Sequence, residues 1–402
     1  MTTTHGNEKQ SSQSALVEEI QLIIQHWIRI SNIKLGWIQD FDKIIVKYVT
    51  NFFMFEIFLS SFKLLKTFTG HTNRVNSIDW FTFNDRQFIC SGSHDQTARV
   101  WDVETNQQIH LNGHSNIVYC AKFSQYHYHN HNQNVICSSS NDIRFWNFKD
   151  NKQLQLFNEH TGWIGGIEFS PFNGGRYLCS GSEDKTIRLW DVETSKSLHV
   201  FNGHTMAVRC LNISPLQSNN NKTESNHIGV IGGNGYTICS GSWDKTIRIW
   251  DIETVKQFIL FKGHEEIVLN VKYGSNELKN IGGANTILSG SNDTSTRLWD
   301  IRSGQQIEMF SGHTGGVTCA EYSPFIVNNI EVECYSNVIC SGSFDNTIRF
   351  WDIRSNKSEL YVMNGEEKKD DGIKSLIVIV LACVMVHVTV QLVFGDSIIF
   401  QQ

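Results

Sequence analysis

Residues 91–102 read SGSHDQTARVWD, and variants of this stretch recur along the chain. A histidine, usually after glycine, precedes each copy by 20 to 36 residues. Each copy contains a tryptophan, and successive tryptophans lie 44 to 60 residues apart. A repeat of this length predicts supersecondary units that pack on one another. The tryptophans that carry this spacing are Trp101, Trp146, Trp190, Trp250, Trp299 and Trp351.

The local pattern within each unit predicts β-strands. In residues 246–250, TIRIW, β-branched side chains alternate with other residues, and the turn-forming residues Ser, Gly and Asp precede them. A few short strands leave their apolar faces uncovered, and a closed ring of units covers those faces while leaving only short edges. The sequence therefore predicts an all-β fold.

The Gly-His, Ser-Gly-Ser-x-Asp and Trp-Asp motifs together resemble the WD-repeat (Trp-Asp repeat) family of β-propellers over residues 63–362. The resemblance implies a seven-bladed β-propeller with six clear repeats and one degenerate blade. In this family the strands of a blade are lettered a to d, and each repeat supplies strand d of one blade and strands a to c of the next. Residues 63–68 would then close the last blade.

The resemblance also implies a structural role for the repeated residues, as buried hydrogen-bonded tetrads of His, Ser, Asp and Trp. The residue types suit such a network, because an indole N–H only donates, a carboxylate only accepts, and His and Ser do both. A hydrolase with a Ser-His-Asp site is an alternative, but five copies favour a scaffold role. The matching tetrads are His71, Ser91, Asp95, Trp101; His160, Ser180, Asp184, Trp190; His204, Ser240, Asp244, Trp250; His264, Ser289, Asp293, Trp299; and His313, Ser341, Asp345, Trp351.

The second repeat departs from this pattern. Residues 138–147, SSSNDIRFWN, are two residues shorter in the turn and have Ser in place of Gly. The aspartate that remains is Asp142, and we assign no tetrad to this repeat.

The segments outside the repeats divide the chain further. Residues 1–14 lack the features of a signal peptide and are predicted to be a disordered tail. Residues 15–62 have apolar side chains at helical spacing and predict a short N-terminal α-helical segment. Residues 363–402 are expected to be a degenerate seventh blade or an apolar C-terminal tail.

The apolar run at 376–394 allows three interpretations. Its length suits a transmembrane anchor, although His387, Thr389 and Gln391 are costly in lipid. The alternation of valines over 384–390 instead favours strands. A third hypothesis is a frame-shifted seventh repeat, because the shifted codons of this stretch permit a repeat ending.

Composition restricts the classes of function. An apolar fraction of 40% excludes a wholly disordered chain, and a net charge of −6 argues against direct binding of nucleic acid. Most of the ten cysteines recur at equivalent strand positions, too far apart for disulfides, which favours an intracellular, cytoplasmic or nuclear location. The histidines at 127, 129 and 131 are expected in a polar loop, and neither a metal nor a cofactor is predicted.

We expect a non-catalytic protein–protein interaction scaffold or a substrate-recognition subunit of a multiprotein complex. Other proteins would dock on the face that carries the d–a loops and b–c turns, where large and charged side chains vary between repeats. A tail-anchored membrane scaffold is an alternative and would depend on residues 376–394. The predicted partner-binding residues are Arg74, His94, Trp163, Glu183, Met206, Trp243, Glu266, Asn292 and Phe344.

Overall fold

The computed structural model describes residues 64–84, 86–214, 236–274, 285–322, 338–353, 359–365, 373–381, 387–394 and 397–401. All of them belong to the larger of two compact units, Lys63–Ile326 with Tyr335–Gln402. The predicted tail at 1–14 and helical segment at 15–62 lie outside the described residues.

The described strands form seven antiparallel sheets of four strands each. Strand β1 (Leu64–Phe68) belongs to the last of these sheets, and the next 24 strands form blades 1 to 6, one for each repeat. Blade 1 contains β2 (Val75–Phe83), β3 (Arg86–Ser93), β4 (Ala98–Asp102) and β5 (Gln108–Leu111). Blade 2 contains β6 (Cys120–Phe123), β7 (Val135–Ser139), β8 (Ile143–Asn147) and β9 (Lys152–Phe157). Blade 3 contains β10 (Ile164–Phe169), β11 (Tyr177–Ser182), β12 (Thr186–Asp191) and β13 (Lys196–Asn202).

The remaining blades have the same strand order. Blade 4 contains β14 (Val208–Ile213), β15 (Thr237–Ser242), β16 (Thr246–Asp251) and β17 (Lys256–Lys262). Blade 5 contains β18 (Val268–Tyr273), β19 (Thr286–Ser291), β20 (Ser295–Asp300) and β21 (Gln305–Ser311). Blade 6 contains β22 (Val317–Tyr322), β23 (Val338–Ser343), β24 (Thr347–Asp352) and β25 (Glu359–Asn364). The last sheet pairs β1 with β28 (Ser397–Gln401), β27 (His387–Phe394) and β26 (Ile373–Leu381), in that order.

Buried aromatic pairs join one blade to the next. Apart from blade 2, the tryptophan of each repeat packs on a phenylalanine from the strand that precedes its blade, as Phe157 of β9 does on Trp190 with ring centroids 5.1 Å apart. The same arrangement joins Phe201 to Trp250, Phe261 to Trp299 and Phe310 to Trp351. Burying two large rings at each junction stabilises the stack of blades through apolar area and ring contact.

The last sheet lies between blades 6 and 1. Its strand β26 contacts β22 of blade 6 and β2 of blade 1, just as the first strands of consecutive blades contact one another. Phe68 of β1 is buried and packs on Trp101 of blade 1, with ring centroids 5.8 Å apart. The predicted all-β propeller is confirmed, and the six clear repeats build six blades. The predicted total of seven blades is not shown, because the last sheet carries no repeat motif.

The apolar run at 376–394 is not a continuous helix. Residues 376–381 and 387–394 lie in β26 and β27, which pair with each other from Ile373↔Phe394 to Leu381↔His387. The alternative interpretation of this run as a transmembrane helix is therefore not supported in its described part. Within the described ranges, no helix combines the length and the apolar character needed to cross a membrane.

A short helix replaces the polar loop that was expected in blade 2. Helix α1 (Gln125–His131) follows β6, and a 3-10 helix at Asn173–Gly175 lies in blade 3. The loop prediction was wrong because Tyr126 and His127 are buried and anchor the helix to the blade. The Nδ1 atom of His127 lies 2.8 Å from Ser124 Oγ, and burial lowers the pKa of His127 to about 4.

Candidate functional site

The structure brings together the residues of all five predicted tetrads. In each, the histidine comes from the d–a loop, the serine from strand b, the aspartate from the b–c turn and the tryptophan from strand c. The His Nδ1 to Asp Oδ2 distances are 2.7 to 2.9 Å, and the His Nε2 to Ser Oγ distances are 2.7 to 2.8 Å. The Trp Nε1–H donates to the same Ser Oγ over 2.8 to 3.0 Å.

Each tetrad assigns one direction to its hydrogen bonds. Since the indole donates to Ser Oγ, the Ser hydroxyl donates to His Nε2, and the His Nδ1–H donates to the carboxylate. In blade 1, Asp95 Oδ2 also accepts the N–H of Thr72 over 3.1 Å, so the loop is held at two adjacent residues. The tetrads thereby fix the position of the d–a loop against the b–c turn.

Burial and hydrogen bonding set the charges in the tetrads. Burial alone would raise the pKa of Asp95, but hydrogen bonds from His71 and Thr97 outweigh it and hold that pKa well below its usual range. Burial lowers the pKa of His71, and Asp95 offsets this only in part. The pKa values of His204 and His264 are lowered for the same reason. These histidines are therefore neutral at pH 7.

Blade 2 contains only part of the network. Ser138 Oγ lies 2.7 Å from His114 Nε2 and accepts the N–H of Trp146 over 2.9 Å. Asp142 comes within 3.1 Å of His114 Nδ1 but without hydrogen-bond geometry, and it binds Arg144 through both oxygens at 2.8 and 3.0 Å. The shorter turn places this aspartate two residues before the arginine, whereas Asp244 of blade 4 lies four residues before Arg248.

The tetrad serines are unsuited to nucleophilic catalysis. All five are completely buried, and each oxygen is already bonded to both a histidine and a tryptophan. A nucleophile must reach a substrate carbonyl from a cleft, which these oxygens do not border. The hydrogen bonds of the tetrads hold the d–a loops in position against the b–c turns.

The nine predicted partner-binding residues divide into separate groups. Arg74 and His94 are neighbours in blade 1, where the His94 N–H donates to the Arg74 carbonyl over 2.8 Å. Glu266 lies in the loop before blade 5 and pairs with Lys245 at 3.2 Å. Asn292 and Phe344 both lie beside Gly316, whose carbonyl accepts the Phe344 N–H over 3.0 Å. The remaining four residues belong to blades 3 and 4.

Trp163 and Trp243 are in direct contact across the junction of blades 3 and 4. Their ring centroids lie 5.6 Å apart with the planes inclined by 50°. Trp243 is 37% exposed, and Met206, whose carbonyl accepts the Ser242 hydroxyl over 3.2 Å, is 47% exposed. Glu183 is also exposed, and its carboxylate accepts the backbone N–H of Trp163 over 3.4 Å.

Two further residues of this group were missed by sequence reasoning. Tyr119 extends the contact, because its ring centroid lies 4.9 Å from that of Trp163, and the guanidinium of Arg209 lies 5.9 Å from the Tyr119 ring centroid. We call Tyr119, Trp163 and Trp243 the aromatic row. Gly165 leaves room for it, since a Cβ atom there would lie 2.7 Å from the Trp163 ring. Tyr119 and Arg209 each come directly after a buried valine, Val118 or Val208, at equivalent positions of their repeats, and this position could have indicated them.

The described residues offer little for metal or disulfide chemistry. No group of three or more His, Cys, Asp or Glu side chains within the described ranges is arranged to hold a metal ion. The eight cysteines described there are unpaired, and seven of them are buried. Burial raises the pKa values of thiols such as Cys90 and Cys239, which makes them poor nucleophiles.

The sequence matches a known family over more than half of its length. The family model described as "WD domain, G-beta repeat" matches residues 62–102, 105–147, 151–191, 195–251 and 304–352. The repeat that ends at Trp299 lies outside these segments but has the same tetrad geometry.

Several relatives are similar over part of this chain. Nuclear distribution protein nudF 2 of Penicillium rubens is 29% identical over 139 residues, 30% of this chain and 29% of the relative. Human pre-mRNA-processing factor 17 is 24% identical over 249 residues, 54% of this chain and 42% of the relative. Mitochondrial division protein 1 of Eremothecium gossypii is 25% identical over 222 residues, 52% of this chain and 29% of the relative. The chain thus spans less than half the length of each of these three relatives.

Proposed function

Because this chain belongs to the WD40 family (WD domain, G-beta repeat), we propose that it is a non-catalytic scaffold or substrate-recognition subunit that binds other proteins in a complex. The observation that carries the proposal is the aromatic row, which exposes Trp243 at one end, together with the exposed Met206 in the loop before blade 4. Clustered aromatic residues and methionine are typical anchors of protein interfaces. The aromatic row, Met206, Glu183 and Arg209 together form the binding patch that we propose.

The tetrads support this role because they make the patch rigid. The loops that carry Trp163 and Met206 each begin beside a tetrad histidine, His160 or His204. A surface that is already ordered loses less conformational entropy when a partner binds. Rigid display of loops is therefore the mechanism of the proposed scaffold.

Our proposal concerns a mode of binding rather than a cellular process. The names of the three relatives refer to nuclear distribution, pre-mRNA processing and mitochondrial division, so their processes differ while the repeats are shared. We propose an intracellular location, cytoplasmic or nuclear, which the unpaired cysteines support. The net charge of −6 supports protein partners rather than direct contact with nucleic acid.

Quantitative affinity capture tests the proposed patch. The tagged wild-type chain and a Trp243→Ala variant are compared in the same cell extract by mass spectrometry. We expect specific partners to fall at least about tenfold with Trp243→Ala, the loss that truncation of an interface anchor causes. Phe258→Ala is the matched control, because Phe258 is 67% exposed on the outer strand β17 and lies outside the patch. Equal recovery of all partners with Trp243→Ala would refute the patch.

We also propose that the last sheet is a seventh blade, which extends the propeller from the predicted limit of 362 to residue 401. Phe68 supports this, since it packs on Trp101 as Phe157 packs on Trp190. Contacts of β26 with both β22 and β2 support it as well. Phe68→Ala and Phe157→Ala should then cost similar free energies of unfolding, about 3–5 kcal/mol each in urea denaturation. A cost below about 1 kcal/mol for Phe68→Ala alone would contradict a closing blade.

A further inference from the structure

One end of the aromatic row is already occupied by a cation of the chain itself. The Arg209 guanidinium lies 5.9 Å from the ring centroid of Tyr119, and its Nη1 donates to the Gly165 carbonyl over 2.5 Å. A cation within about 6 Å of a ring centroid is attracted by the negative face of the ring. The row is thus built so that a positive group can lie against an aromatic face.

The other end of the row has the rings but lacks the cation. Trp243 is exposed at this end, and its ring packs against that of Trp163. Beside Trp163 lies the carboxylate of Glu183, which accepts the backbone N–H of Trp163 over 3.4 Å. Within the described ranges no Lys, Arg or His side chain forms an ion pair with Glu183, whereas Glu266 on the same face is paired with Lys245.

We propose that this end of the patch binds a lysine or arginine side chain of a partner polypeptide, against Trp163 and Trp243 and paired with Glu183. The inference rests on the proposed function and specifies the chemistry of its partner. The exposed Trp243 ring, the Trp163 ring that it contacts and the Glu183 carboxylate together make a site that is negative and partly apolar. A long side chain with a cationic end matches both properties, because its methylene groups cover ring surface while its charge meets the carboxylate.

Other occupants match the patch less well. An acidic side chain would face both the Glu183 carboxylate and the negative faces of the indole rings. A purely apolar side chain would cover the rings but would desolvate Glu183 without giving it a partner, which costs free energy. Charge complementarity therefore selects the cationic side chain.

Peptide display tests this assignment on the whole 402-residue chain. Random twelve-residue peptides on phage are selected against the immobilised wild-type protein, and the enriched peptides are synthesised and measured by fluorescence polarisation. We expect a recurrent Lys or Arg, and replacement of that residue by norleucine, which keeps the methylene groups and removes the charge, should weaken binding at least tenfold. Trp243→Ala should weaken it by a similar factor.

Charge variants separate the role of Glu183 from general electrostatics. Glu183→Gln should weaken binding about fivefold, as expected for one partly exposed ion pair. The matched control is Glu104→Gln, which removes one exposed negative charge from the turn between β4 and β5, at the opposite end of its blade. That control should leave the affinity unchanged.

The outcomes distinguish this inference from the proposed function. Peptides that depend on Trp243 but contain no basic residue, or that tolerate norleucine, would overturn the cationic occupant and leave the binding patch in place. Enriched peptides that are indifferent to Trp243→Ala would overturn the patch and the inference together. A selection with no enrichment over a column without protein would count against both in the same way.

Discussion

Blades 2 and 4 are built from the same repeat, yet only blade 4 completes its hydrogen-bond network. In blade 4, Asp244 accepts the His204 Nδ1–H over 2.8 Å, and the Ser242 hydroxyl donates to the Ala207 carbonyl over 2.9 Å. In blade 2, Asp142 accepts hydrogen bonds from Arg144 rather than from His114, and the buried Ser140 hydroxyl has no hydrogen-bond partner. Two residues fewer in one turn account for both differences.

The comparison shows which part of a blade depends on turn length. The tryptophan, serine and histidine contacts survive in blade 2, because these three residues lie on strands and on a loop that the turn does not displace. The aspartate and the second serine lie in the turn: Asp142 keeps Arg144 as a partner but lies near His114 without hydrogen-bond geometry, and the Ser140 hydroxyl has no partner. The packing of a blade therefore does not depend on the hydrogen bonds that hold its d–a loop. Four experiments test whether these two contributions are independent.

Removal of the tryptophan should have the largest effect and should not distinguish the two blades. Trp250 and Trp146 are both buried, and Trp→Ala at such positions costs about 3–5 kcal/mol of unfolding free energy through lost contact and the cavity left behind. We expect Trp250→Ala and Trp146→Ala to fall in this range in urea denaturation followed by circular dichroism. A difference above about 2 kcal/mol would break the view that both blades are packed alike.

The turn aspartate should distinguish the blades most clearly. Asp244 accepts bonds from His204, the Thr205 N–H and Thr246, so Asp244→Asn should cost about 2–3 kcal/mol of unfolding free energy. Asp142 is partly exposed and its main partner is Arg144, so Asp142→Asn should cost about 1 kcal/mol or less. Equal costs in the same denaturation experiment would mean that blade 2 has a working tetrad.

The turn serine should give a smaller effect in one blade and none in the other. Ser242→Ala removes a hydroxyl that donates to Ala207 and accepts the Asp244 N–H, which should cost about 1–2 kcal/mol. Ser140→Ala removes a buried hydroxyl without a partner, so the free energy of unfolding should stay the same or rise slightly. A clear loss with Ser140→Ala would reveal a partner for that hydroxyl.

The smallest effect is expected from a change of pH between 7.5 and 6.5. Because the folded pKa of His204 lies below its ordinary value of 6.5, the unfolded chain takes up more protons as the pH falls towards and below that value. The thermal midpoint should therefore decline slightly over this interval and more steeply below it. Asp244 adds a second decline near and below pH 3.8, which Asp244→Asn should reduce. A midpoint that rises on acidification would contradict neutral buried histidines.

The sequence was sufficient to predict the contacts that lie within one repeat. His204, Ser240 and Trp250 recur in register, so their meeting follows from the repeat pattern alone. The departure of blade 2 was visible in the missing residues, but the capture of Asp142 by Arg144 depends on where a shortened strand connection directs a side chain. Periodicity does not contain that information.

Contacts between blades were harder to predict. Tyr119 and Arg209 join Trp163 from different blades, and their meeting depends on the space above Gly165. Trp163 and Phe344 are predicted on one face, and the structure adds that Phe344 has its own neighbours there, Gly316 and Asn292. The sequence identifies which side chains face the loop end of a blade, whereas the packing of neighbouring blades decides which of them touch.

Because of the tetrad, the distance between the d–a loop and the b–c turn does not depend on the number of residues between strands a and b. His160 and Asp184 are separated by 24 residues and His204 and Asp244 by 40, yet both pairs meet at 2.7 to 2.8 Å. New sequence can therefore enter a blade between these two strands while the spacing of the recognition loops stays constant. For protein engineering, the connection between strands a and b is an insertion site, where a reporter or an additional domain can be added without disturbing the binding patch.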